Sequence, residues 1–222
     1  MPTAGVGSGN ELPPPATPAP DPRPGATETT GLPFVVALVA SAGGLSAINH
    51  VLLRLPADLP AAVVVVQHLG SLGSNLAEIL RRRSALPVAW IAGHERLRPG
   101  RVYVCPPKQM LEVMPDAECS LAPVDRDHRL RPIDFFLVSL ADSCGQRAMA
   151  VVLTGMGRDS ADGSQAVSRA GGTVLVQSPD SAEFPGMPSA VIESGTADLV
   201  LPLRDIGAAI ADVVARGATS RT

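Results

Sequence analysis

Cysteine is scarce in this chain of 222 residues, and the three present, Cys105, Cys119 and Cys144, are widely spaced with no C-x-x-C among them. That excludes a disulfide framework and a zinc ribbon, and leaves three buried free thiols as the expectation. The four histidines, His50, His68, His94 and His128, show no i, i+4 pairing and no H-E-x-x-H, so no metal site is expected. Basic residues show no excess either: 18 Lys and Arg stand against 21 Asp and Glu, a formal charge of -3. No global electrostatic case for nucleic acid follows. The one basic run, Arg81-Arg82-Arg83, sits where a helix is expected to end, and serves its dipole and solubility. Lys108 is the only lysine, and neither G-x-x-x-x-G-K-[ST], G-x-G-x-x-G nor the G-x-S-x-G nucleophile elbow occurs. The longest largely apolar run, residues 32–42, contains a proline and is about half the roughly 20 residues a membrane-spanning helix needs. No membrane insertion is expected. The N-terminus has no basic region followed by an apolar stretch, so the expectation is a cytoplasmic protein without a secretory signal.

What is present is a chain that is 45% apolar and 18% charged, enough for a core of the size one domain needs. Residues 1–33 hold nine of the 22 prolines with almost no large apolar side chains, and are expected to be a disordered, Pro-rich tail. From Phe34 the texture changes to apolar runs punctuated by Gly and Pro.

Phe34 to Ala40 reads as a strand buried on both faces, followed by the turn Ser41-Ala42-Gly43-Gly44 and a helix over Leu45 to Leu55. The unit repeats with strand Ala62 to Gln67, His68, and a helix over Ser74 to Arg83 in which Asn75 and Glu78 fit a capping box. A short strand is expected over Val88 to Ala92. Arg101–Cys105, Met110–Met114 and Cys119–Pro123 read as short strands in an antiparallel excursion. Helix Ile133 to Cys144, strand Met149 to Leu153, helix Ala161 to Ala170 and strand Thr173 to Gln177 resume the alternation. A strand near Asp198 to Leu201 and a helix over Asp205 to Ala215 close it. The fold class predicted is α/β: a doubly wound, mostly parallel sheet with a small antiparallel β excursion.

In such sheets ligands bind beyond the carboxyl ends of the strands. Ser41, His68 and Asp159 fall there, as a potential nucleophile, general base and orienting carboxylate. Each has a plainer alternative. Ser41 could cap the following helix, His68 could bond backbone, and Asp159 could cap the helix at Ala161, with Asp162 a rival for the carboxylate role. Their joint occurrence at strand ends favours catalysis, and Gly43 and Gly44 open a helix whose N-H groups could stabilise an oxyanion.

Several blocks then resemble one family, in order: Ser41-x-Gly43-Gly44, Gln67-His68, Leu97 to Gly100 with Val102 to Pro106, Arg131 to Asp134, Leu153 to Asp159, and Phe184 to Pro188. Together they resemble the catalytic domain of the chemotaxis protein-glutamate methylesterases, the CheB type. The resemblance implies a domain over 34–216 that hydrolyses γ-glutamyl methyl esters, and in many members deamidates glutamine, on the cytoplasmic helices of a methyl-accepting chemotaxis receptor. It implies Ser41 as nucleophile, His68 as base and Asp159 as the residue orienting it, with no cofactor and no metal. Backbone N-H groups of Ala42 and Met156 would serve the oxyanion, and Gly43, Gly44, Gly186 and Met187 would belong to loops at the substrate. Two positions depart from the family. Ala42 stands where it commonly has Thr, and Ser160 stands where it usually has Gly, a change expected to be tolerable at a helix start. The receiver domain that usually precedes this domain in the family does not fit into 33 residues, so phosphorylation of this same chain is not expected to be its switch. The alternatives are an inactive interaction module and an esterase for a signalling protein unrelated to motility.

Overall fold

Phe34–Ala40 forms β1, and residues 35–40 are wholly inaccessible to solvent, because this strand lies at the middle of a sheet covered on both faces. The computed structural model describes residues 32–68, 75–124 and 131–219. After β1 come α1 (Gly44–Leu52), β2 (Ala61–Gln67), α2 (Leu76–Arg81), β3 (Val88–Trp90), β4 (Glu95–Arg96), β5 (Arg101–Val104), β6 (Gln109–Met114) and β7 (Glu118–Pro123). The second half runs α3 (Pro132–Cys144), β8 (Ala148–Val152), α4 (Ala161–Arg169), β9 (Thr173–Gln177), α5 (Gly186–Glu193), β10 (Leu199–Leu201) and α6 (Leu203–Thr219).

Seven strands form one parallel sheet in the order β10-β9-β8-β1-β2-β5-β3, and β4, β7 and β6 form a small antiparallel sheet. The fold class read from the alternation of strands and helices is therefore the observed one. Alternate residues of β1 point to opposite cores. Val35, Ala37 and Val39 meet Phe136, Leu137 and Val167 of α3 and α4, whereas Val36 and Leu38 meet Ile48, Leu52, Ile206 and Ile210 of α1 and α6. The strand order proceeds from β1 to β2 on one side and from β1 to β8 on the other. The direction of winding thus reverses between β1 and β8, and the space beyond their carboxyl ends is where such sheets bind ligands.

Several local expectations need correction. β5 belongs to the parallel sheet between β2 and β3, not to the antiparallel excursion. Val102, Tyr103 and Val104 are all buried, as an interior strand requires, and the continuous apolar run is the parallel-sheet pattern. α5 was not foreseen, because Gly186 and Pro188 mask its start; a proline is compatible with a helix's first turn, where no intrahelical N-H bond is lost. α1 stops at Leu52, before the expected Leu55, and α6 extends past Ala215. Asn75 precedes α2 without a side-chain cap, and Glu78 instead pairs with Arg81 and Arg82, so the capping box does not form. The expected tail and Ser74 lie outside the described residues, except that Leu32 and Pro33 are seen. Leu32 packs on the core and its carbonyl accepts a hydrogen bond from Arg147.

Candidate active site

The strand ladder carries the crevice residues into place. Ala40 pairs with Gln67 and Val39 with Val152, so the ends of β8, β1 and β2 lie side by side. Just beyond, the Ser41 N-H donates to the Thr154 carbonyl (3.1 Å) and the His68 N-H donates to the Ala40 carbonyl (3.1 Å). Ser41 thus emerges at the winding reversal and His68 from the strand next to it.

Between Ser41 and α1 the chain must turn sharply, and Gly43 does this at φ +74°, a conformation that disfavours any side chain. A Cβ there would also lie 2.8 Å from Glu183 Oε2. Gly43 occupies the N-cap position of α1, with no side-chain cap. The Ser41 hydroxyl is therefore not engaged as a cap. The Ser41 carbonyl accepts from Gly44 N-H (3.0 Å) and from Gln67 Nε2 (3.4 Å), which fixes the backbone of the turn.

His68 Nε2 lies 2.8 Å from Asp159 Oδ2, with the His side chain 38% exposed and the Asp side chain 11%. A carboxylate only accepts, so Nε2 carries the proton and Nδ1 is left as the basic nitrogen. Asp159 sits seven residues past the end of β8, yet it is held firmly. Its Oδ1 accepts the Asp134 N-H (2.9 Å) and its Oδ2 the Ile133 N-H (3.2 Å), both from the first turn of α3. Asp159 therefore caps α3, and the cap of α4 comes from Asp134 instead. Asp162, the rival carboxylate, is exposed and pairs with Arg131 (3.3 Å).

Thr154, a residue not singled out from sequence, ties three loops together. Its hydroxyl accepts the Phe184 N-H (2.8 Å) and donates to the Ala42 carbonyl (3.1 Å), while its own N-H donates to Gln177 Oε1 (2.9 Å). Gln177, almost wholly buried, spends its amide on the Ser181 carbonyl (2.8 Å). Both residues stand at or just past strand ends, the same signal that found Ser41 and His68. Met156, by contrast, is 63% exposed at the tip of the turn 155–157. Gly155 and Gly186 are packed so closely that a Cβ on Gly155 would fall 2.2 Å from Met187 Sδ, and one on Gly186 3.0 Å from the Gly157 nitrogen. Met187 is fully buried and its N-H bonds the Gly155 carbonyl (2.9 Å), so its side chain supports this loop from below and is not offered to a substrate.

Other nucleophiles are poorly placed. Burial pushes the thiols of Cys105 and Cys119 up to about 12 and that of Cys144 up to about 11, far from thiolate reactivity. Iodoacetamide at pH 8 is expected to label none of the three in the native protein and all three after unfolding, as mass spectrometry would show. His94 pairs with Glu118 (2.9 Å) at an exposed edge of the small sheet, away from the crevice. Among the described residues no group of three or more His, Cys, Asp or Glu is arranged to hold a metal ion, and no helix is long and apolar enough to cross a membrane.

A doubly wound α/β domain with a serine, a histidine–aspartate pair and glycine-tightened loops gathered at its winding reversal has the layout of a domain built for chemistry at that crevice. Residues 36–210 match the family model of the CheB methylesterases, and the chain belongs to that family. It is 38% identical over 190 residues to a protein-glutamate methylesterase/protein-glutamine glutaminase of Moorella thermoacetica, covering 81% of this chain and 44% of that protein. Against a protein of the same name, numbered 2, in Pseudomonas aeruginosa it is 36% identical over 206 residues, 90% of this chain and 59% of the relative. The chain thus spans about half the length of the curated relatives it matches. The crystal structure of the Thermotoga maritima CheB methylesterase catalytic domain superposes with a TM-score of 0.75 at 33% identity, covering 82% of this chain and 98% of that one.

Proposed function

We propose that residues 34–216 form a serine esterase domain that hydrolyses γ-glutamyl methyl esters on the cytoplasmic helices of a methyl-accepting chemotaxis receptor, and deamidates glutamine side chains there. The observation that carries this reading is the His68–Asp159 pair at 2.8 Å, one strand end from Ser41 at the winding reversal. Family membership supports the substrate class, and a reaction on cytoplasmic receptor helices is a cytoplasmic one.

The reaction runs through the chain's own side chains. Ser41 Oγ attacks the ester carbonyl and gives its proton to Nδ1 of His68, whose other nitrogen stays hydrogen-bonded to Asp159. The tetrahedral oxyanion takes N-H groups at Ala42 and Met156, assisted by the positive end of α1. Ala42 brings no hydroxyl to this turn but keeps its N-H. His68 then protonates the departing methanol, and water, deprotonated by His68, releases the glutamate carboxylate from Ser41. No cofactor enters the sequence of steps. Gly43 and Gly44, at the turn, and Gly186, under the 155–157 loop, keep the backbone close enough for a glutamyl side chain to enter.

The test is methanol release from a methylated chemoreceptor cytoplasmic fragment by the full chain. Stoichiometric release is expected. No release across a range of receptor fragments, by protein shown to be folded, would leave a binding module or another substrate as the better reading.

A further inference from the structure

Two helices begin beside the candidate triad, and each is capped by a carboxylate from the other's neighbourhood. Asp159, preceding α4, takes the Ile133 and Asp134 N-H groups of α3. Asp134, in the first turn of α3, takes the Ser160 N-H (3.0 Å) and the Gly163 N-H (2.7 Å) on the single oxygen Oδ1. The exchange needs the helices nearly in contact. A Cβ on Gly163 would fall 2.6 Å from Leu137 Cβ and 3.0 Å from Asp134 Cα.

The residue pinned by this exchange is strained. Ser160 has φ +131° and ψ -12°, is 0% exposed, and its hydroxyl has no hydrogen-bond partner among the described residues. A buried side chain in that conformation persists only where its surroundings impose it. Ser160 stands at the start of α4, as expected, but in a conformation suited to glycine. The Ser160 N-H, on the peptide immediately following Asp159, donates to Asp134, and this bond, with the Gly163 N-H on the same oxygen, opposes that strain.

We infer that Asp134 is a positioning residue for the triad, holding the strained Asp159–Ser160 link in the shape that aims Asp159 at His68. The inference rests on the triad reading above. Asp134 never touches the substrate; it acts through Asp159. Burial raises its carboxyl above the ordinary range, and the Gly163 N-H and then the Asp159 charge work in opposite directions on it. Arg131, at 3.5 Å from its second oxygen, supplies the nearest opposite charge. Because both helix bonds end on one oxygen, asparagine can reproduce them while alanine cannot.

The experiment compares Asp134→Asn, Asp134→Ala, Ser160→Gly and the Asp134→Ala/Ser160→Gly pair in the full chain. Readouts are kcat and KM for methanol release, melting temperature, and the low-field proton NMR signal of the His68 ring N-H. Asp134→Ala is expected to lower kcat about 30-fold with KM within about twofold, as a displaced catalytic group does. Asp134→Asn keeps kcat within about threefold, and Ser160→Gly added to Asp134→Ala restores about tenfold by removing the strain. Ser160→Gly alone raises the melting temperature by about 3 °C. Wild-type kcat in Asp134→Ala, an asparagine variant as impaired as alanine, or no recovery in the pair overturns the inference. If Asp134→Ala does not fold, a melting temperature lowered by Ser160→Gly overturns it. If the wild type itself releases no methanol, the esterase reading fails separately, and the NMR arm decides. The His68 signal kept in Asp134→Asn and lost in Asp134→Ala supports the positioning role; a signal unchanged in both contradicts it.

Discussion

Replacing Ser41 with alanine is expected to lower kcat for methanol release by about 10⁶ while leaving the fold intact, the size seen when a triad nucleophile is removed. The fold survives because the Ser41 hydroxyl caps nothing: Gly43 holds the N-cap position of α1, and the backbone of Ser41 is what the Thr154 carbonyl and the Gln67 amide engage. Melting temperature should therefore stay within about 1 °C of wild type, a surface-like change. His68→Ala should cost about as much as Ser41→Ala, and the double variant no more than either, since the two act as a unit. Asp159→Asn is expected to cost about 10⁴ in kcat. Its two oxygens accept three N-H groups, from Ile133, Asp134 and His68, and an amide, with one accepting oxygen, must turn its NH2 against at least one of these donors and leave it unsatisfied.

The second large effect is expected at Gly155. An alanine Cβ there would lie 2.2 Å from Met187 Sδ and 3.0 Å from Ser41 Cβ. Met187 is fully buried and its N-H is bonded to Gly155 itself, so neither neighbour can move away freely. Overpacking of this kind costs about 1–3 kcal/mol. Displacing Ser41 by a fraction of an ångström should lower kcat by about 10² as well. Gly195→Ala is the control: φ is +73° there, nothing lies within 4 Å of the added carbon, and the residue follows α5, away from Ser41. It should lose about 1 kcal/mol with kcat unchanged. Urea denaturation and steady-state kinetics on both variants separate strain alone from strain that reaches Ser41. Equal kcat in the two would show that Met187 yields without moving Ser41.

Much of this is legible because β1 and β2 are continuous apolar runs rich in valine, which mark interior parallel strands whose carboxyl ends match the expected ones, whereas β8 ends at Val152, one residue before the expected Leu153. Ser41 and His68 follow those ends directly. What pairs with His68 was less legible. Asp159 reaches it only because the turn around Gly155 and Gly157 folds the loop back and because the start of α3, some 25 residues earlier, supplies two N-H groups. The reciprocal cap by Asp134 has no local sequence signature, since it joins the starts of two helices through space. α5 was missed because Gly186 and Pro188 read as loop, although both sit in its first turn. β5 was misassigned because its neighbours β6 and β7 pair antiparallel, and strand partners are a tertiary property that spacing does not encode.

A covalent intermediate on Ser41 can be sought by reacting the full chain with an activated acetyl ester, quenching in acid and mapping the peptides by mass spectrometry. One acetyl group on the peptide containing Ser41, absent from Ser41→Ala and accumulating when His68 is replaced only at a greatly reduced rate, is the expected result. Turnover of methylated receptor with no adduct on Ser41, or with the acetyl group on another side chain that Ser41→Ala leaves unaffected, would contradict the assignment of nucleophile and base.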